Sequence, residues 1–109
     1  MGQGEAVQDP TVVTDTFPLN NSYVYISFES GAERSFVSHK LEHLLNQNPY
    51  KLNETNTVKM ANGKTESTND IYVGCTLTLK NHSFPISLMP VNIRSFDVIV
   101  GMDWLSPHH

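Results

Sequence analysis

The sequence predicts an all-β domain, a small closed or folded-over barrel, and three observations carry that prediction. Six or seven short apolar or β-branched stretches are separated by turn residues. A helical spacing over two turns occurs only after Ser38, at Leu41, Leu44 and Leu45. Ala61-Asn62-Gly63-Lys64 contains Asn-Gly, the strongest short hairpin signal, because a type I′ turn needs positive φ at both central residues. At 109 residues the chain is at most one domain.

Residues 1–10 are polar, end in Asp9-Pro10, and read as a flexible lead-in to a domain over 11–109. Residues 11–19 form a first strand, and Pro18 to Ser22 supply its turn. From Tyr23 the chain alternates, with Val24, Ile26 and Phe28 on one face. It then runs into Glu29-Ser30-Gly31-Ala32, which sets a carboxylate at a tight turn. Gly31 permits backbone angles closed to other residues, and close approach of another chain.

Arg34 to Val37 is a short extended piece, and Ser38 is expected to cap the helix that Pro49 stops. Residues 50–55 read as a polar loop. Val58 and Met60 lead into the Asn62-Gly63 hairpin, whose arms are otherwise polar. Such a hairpin either covers a site as a flap or is a plain surface feature. Ile71 to Leu79 is the clearest strand, with Ile71, Val73, Cys75, Leu77 and Leu79 on one face. Phe84, Ile86 and Leu88 mark its return, and Pro85 assigns that strand to an edge or bulge. Ser95 to Val100 reads as a buried strand ending at Gly101, followed by one helical turn halted at Pro107.

Composition narrows the chemistry. Net charge is −4 with no basic cluster, which argues against direct nucleic-acid binding. There is no apolar leader and no run long enough to span a membrane, so an intracellular location is expected. The single cysteine, Cys75, forms no internal disulfide and reads as a small core residue. His39 and His43 share a helix face, but zinc needs further ligands; neither metal nor cofactor is expected. No phosphate loop or Gly-x-Ser-x-Gly elbow is present. Of the carboxylates, Asp97 and Asp103 flank a buried strand and read as acceptors of backbone N–H groups. Glu29 before Ser-Gly remains.

Glu29-Ser30-Gly31-Ala32 is similar to the Asp-Thr/Ser-Gly-Ala motif of retropepsin-like aspartic proteases. Phe96 to Leu105, with Val98-Ile99-Val100-Gly101 at its centre, resembles the second signature of that family. Together with Arg34 to Ser38 and Met60-Ala61-Asn62-Gly63, it looks like the protease region of plant Ty3/gypsy-type retrotransposon polyproteins. The resemblance implies a closed barrel of the retropepsin type with one short helix and a flap hairpin. It implies a homodimer in which Glu29, Ser30 and Gly31 of each chain meet, with a peptide or polyprotein segment as substrate. Met60, Ala61, Asn62 and Gly63 would form the flap, and Val98, Ile99, Val100 and Gly101 would support the catalytic loop. In such a pair, two carboxylates share one proton; one activates water while the other protonates the peptide carbonyl.

The family carries Asp where this chain has Glu29. Free glutamate and aspartate differ little in acidity, about 4.3 against 3.9. Glutamate adds a methylene, roughly 1.5 Å of bond length, and the two-fold axis repeats the change. Activity is therefore expected to be absent or strongly reduced. The family also continues past the Trp-Leu turn, so the chain is expected to be truncated at its C-terminal end or to pair more weakly. Asp15 lies where relatives tend to carry glycine and is expected to face solvent. Two other readings stay open: a non-catalytic retropepsin-fold module for dimerisation or peptide binding, and an unrelated β-barrel binding domain.

Overall fold

The computed structural model describes residues 12–60 and 63–108. Among these are seven strands: β1 Val12–Leu19, β2 Ser22–Glu29, β3 Phe36–Ser38, β4 Tyr50–Lys59, β5 Thr65–Leu79, β6 His82–Val91 and β7 Val98–Val100. A 3₁₀ helix, His39–Leu45, and a closing helix α1, Met102–His108, complete the set. The expected lead-in over residues 1–10 lies outside the described residues.

Two tight hairpins begin the architecture. Asn20 and Asn21, at φ 50° and 71°, turn β1 onto β2; Lys80 and Asn81, at φ 50° and 69°, turn β5 onto β6. Asparagine tolerates the left-handed region better than most side chains, which suits it to primed turns. The sheet order is β1-β2-β7-β3-β6-β5-β4. A further pairing, Leu19↔Leu77, joins β1 to β5 and closes the first six strands of that order into a ring. The fold is the all-β closed barrel that the sequence predicts, with β4 outside the ring on β5.

β7 is inserted between the chain's early strands. It runs parallel to β2, with Ile26↔Val98 and Phe28↔Val100, and antiparallel to β3. Leu19, Ile26, Val37, Leu77, Val98 and Val100 are fully buried inside the ring. A second cluster joins Phe36, Met89, Val91 and Ile93, with Val58 and Met60 packed against it. The β4–β5 hairpin is thus anchored by its two apolar residues, although its other arm positions are polar.

Five local expectations need correction. The closing helix does not halt at Pro107 but runs Met102–His108 with Pro107 inside it, where the proline withdraws only its own N–H from the helical ladder. Residues 50–55 are not a loop, because Tyr50 and Lys51 already pair with Ile71 and Asp70. The polar stretch is absorbed as a bulge between Lys51 and Asn56. The clearest strand does not keep one face. Gly74, at φ +72°, bulges it, so Tyr72 is buried while Val73 is exposed, and Cys75 and Leu77 resume the inward face. Ser38 makes no side-chain cap; its hydroxyl donates to Ile93 O at 3.4 Å, and the helix it precedes is 3₁₀. The expected strand over 95–100 is paired only at Val98–Val100. Pro85 behaves as expected: at that point β6 pairs with β5, while β3 pairs further along at Met89–Val91.

The Gly74 bulge generates a prediction. A Cβ there meets nothing within 4 Å, so only the backbone conformation penalises a side chain. Gly74→Ala is expected to lower unfolding free energy by about 1 kcal/mol in urea titrations, and Gly74→Asn by less. Cys75 supplies another. It is fully buried, and burial pushes its thiol up to about 11. Iodoacetamide at mildly alkaline pH should leave the folded chain unmodified and alkylate Cys75 once urea unfolds it.

Candidate functional site

Glu29 is the last residue of β2, and Ala32 N donates to Glu29 O at 3.1 Å to close the turn beyond it. Strand periodicity places Ser27 and Glu29 on one face. The Ser27 hydroxyl, fully buried, donates to Glu29 Oε2 at 2.7 Å. Ser30 is exposed at the turn. Gly31 does not use a positive φ, so its expected conformational role is not seen. A Cβ on Gly31 meets nothing within 4 Å, which leaves open space over the turn.

The opposite holds for Gly101. A Cβ there would lie 2.2 Å from Arg34 O and 2.7 Å from Ala32 O, both backbone. This close approach lets the start of α1 dock on the loop that follows Glu29. Met102 N donates to Ala32 O at 2.7 Å and Asp103 N to Glu33 O at 3.0 Å. Gly101 N donates to Ser35 Oγ at 3.0 Å, and that hydroxyl donates to Asp103 Oδ1 at 2.7 Å. Asp103 Oδ2 also accepts from Ser35 N at 3.2 Å. Asp97 Oδ2 accepts from Tyr25 N at 2.8 Å. Both aspartates are thus acceptors for backbone N–H groups, as the sequence predicts.

The turn opens on a cleft of about 960 Å³. Glu29 and Gly31 line it, and Met60 of the hairpin and Ile99 of β7 line it with them. Phe36, Val58, Ile93 and Phe96 add apolar wall. Val98, Val100 and Gly101 lie buried behind the turn. Gly63 sits at the hairpin tip at φ +86°, its N–H donating to Met60 O at 2.9 Å. The expected flap residues Ala61 and Asn62 lie outside the described residues. A carboxylate lining a cleft with an apolar wall can exchange a proton with a bound polar group.

Sequence reasoning missed the roles of Ser27 and Ser35, and of the cations Arg34, Lys59, Lys64 and Arg94 that also line the cleft. The one available signal for Ser27 was its i, i−2 relation to Glu29. Ser35 lies within the Arg34 to Ser38 stretch of the resemblance, but nothing local marks its partners, which are 66 and 68 residues away. Among the described residues no group of three or more His, Cys, Asp or Glu side chains could hold a metal ion. Nor is any described helix long and apolar enough to cross a membrane.

A family model described as retroviral aspartyl protease matches residues 1–109. Curated proteins gave no match. Among solved structures, the chain is similar to EIAV protease complexed with the inhibitor HBY-793, with TM-score 0.65, 14% identity, and coverage of 94% of this chain and 93% of that one. It is also similar to the retroviral protease-like domain of Ddi1 from Leishmania major, with TM-score 0.61, 15% identity, and coverage of 92% and 79%.

The two turn glycines are expected to behave oppositely. Gly101→Ala should cost at least about 3 kcal/mol of stability or prevent folding, because its Cβ meets backbone that cannot step aside. Gly31→Ala should stay within about 0.5 kcal/mol of the parent, as expected for a site without a clash. Thermal unfolding of both variants checks the pair.

Proposed function

This chain belongs to the retroviral aspartyl protease family, and from that premise we propose that it is an aspartic-type endopeptidase domain working as a homodimer on a polyprotein. We infer further that its source is a plant Ty3/gypsy-type retrotransposon and that its activity is impaired by Glu29. The observation that carries the reading is the Glu29 carboxylate, which lines the cleft beside open space over Gly31. A two-fold axis through that space brings two copies of Glu29 together. The paired acids share a proton and titrate as one unit. The ionised member takes a proton from water as the water attacks the peptide carbonyl carbon; the protonated member gives its proton to the carbonyl oxygen. Met60 to Gly63 close over the substrate, and Val98 to Gly101 hold the loop from behind. No metal or cofactor takes part in these steps.

The added methylene works against this geometry. A displacement of about 1 Å in a reacting group can lower a rate ~10²-fold. Here the Glu29 carboxylate is already engaged by Ser27 of its own strand. That contact favours a second reading, in which the cleft binds peptides without cleaving them.

Peptide hydrolysis at mildly acidic pH, with sedimentation of the same samples, tests both readings. Glu29→Asp is expected to raise kcat/KM by about 10²-fold. Gly31→Ala is expected to shift the protein toward monomer while its thermal stability holds at dilutions where the parent is itself monomeric. A strictly monomeric parent chain would exclude the shared-dyad mechanism. A dimeric Glu29→Asp variant that cleaves nothing would leave the peptide-binding reading in its place.

A further inference from the structure

The charges along the cleft run against the charge of the chain. The protein has 7 Lys+Arg against 11 Asp+Glu. Four of those seven cations, Arg34, Lys59, Lys64 and Arg94, line the cleft. Three of the acids do: Glu29, Glu33 and Glu66. Two of the three are engaged within the protomer. Glu29 accepts from Ser27, and Glu66 Oε1 accepts from Asn92 N at 2.7 Å and lies 3.5 Å from His39 Nε2.

The cations reach one cavity from three separate segments. Arg34 follows the Glu29 turn, Lys59 and Lys64 sit on the two arms of the β4–β5 hairpin, and Arg94 follows β6. Arg34 meets Asp103 through Nε at 3.7 Å, with its side chain 45% exposed. A guanidinium has five N–H donors, so that contact leaves others for a ligand. Lys59 and Arg94 are exposed. Between these charges lie Phe36, Val58, Met60, Phe96 and Ile99. Low-dielectric walls beneath a rim in which cations outnumber acids by four to three focus the net positive field into the cleft and favour ligands of the opposite sign.

We propose that the cleft selects peptides in which an apolar centre is flanked by acidic side chains. The inference rests on reading the cleft as a peptide site. The apolar walls take the central side chains, and Asp or Glu residues on either side meet the cationic rim. Each exposed ion pair is worth roughly a two- to fivefold change in affinity. Several together give about tenfold between acidic and basic flanks.

The test uses the full chain and three fluorescent peptides that share an apolar centre with a reduced, uncleavable central bond. Their flanks are Glu, Gln or Lys, and anisotropy reads Kd without needing catalysis. The expected order is Glu tightest, Gln intermediate and Lys weakest. The spread should narrow toward unity as salt shortens the Debye length from about 8 Å to about 3 Å. Lys59→Glu, checked for folding by circular dichroism, should shrink or invert the order. Lys80→Glu, on the β5–β6 turn outside the cleft, should leave it unchanged. Equal binding of all three peptides, or a preference for Lys, would overturn the charge selection and leave the peptide site standing. No binding of any peptide would overturn both.

Discussion

The cleft depends on a contact between backbones. Gly101 lies against the carbonyls of Ala32 and Arg34, a separation with no room for a Cβ. Because it does, the first N–H groups of α1 find acceptors in the loop after Glu29 instead of facing water unpaired. Ser35 then links the two sides, accepting from Gly101 N and donating to Asp103. The turn that presents Glu29 is therefore held by residues some 70 positions later, and β7 reaches its place between β2 and β3 by the same docking. Buried backbone donors left unpaired would each cost about 1–3 kcal/mol. The Arg34–Asp103 ion pair beside this network is long and exposed, and adds about 0–1 kcal/mol at most.

The site itself combines a closely packed backbone contact with a buried polar pair. Ser27 is fully buried yet polar, and its partner is the Glu29 carboxylate two residues on. A hydroxyl at that position gives the longer acid a donor within its own strand. Tyr72 shows a comparable arrangement elsewhere: its hydroxyl donates to Glu42, and burial first, then that carboxylate, raise its pKa. In both places a buried hydroxyl is satisfied by a neighbouring carboxylate.

The sequence carried the fold more fully than the site. Alternation marked β2 and β6, and the Asn62-Gly63 pair marked the β4–β5 hairpin, because each signal is local. Residues 50–55 looked like a loop because their pairing energy comes from β5, which composition cannot report. The face change in β5 was hidden because one glycine, Gly74, resets the two-residue period with no other mark in the sequence. Glu29 stood out only through its neighbours Ser30 and Gly31. The cationic rim was invisible because Arg34, Lys59, Lys64 and Arg94 are scattered along the chain and converge only when the barrel closes.

The two left-handed turns at 20–21 and 80–81 also divide the folding reaction in time. Each joins strands adjacent in sequence, so the β1–β2 and β5–β6 hairpins can form within about 1–10 μs, the usual hairpin range. The parallel pairing Ile26↔Val98 has no such shortcut, since its partners are 72 residues apart. Its loop-closure entropy is spent before any contact returns it. The pairing that completes the cleft is thus among the most non-local in the fold, and contact order makes it a slow one to form.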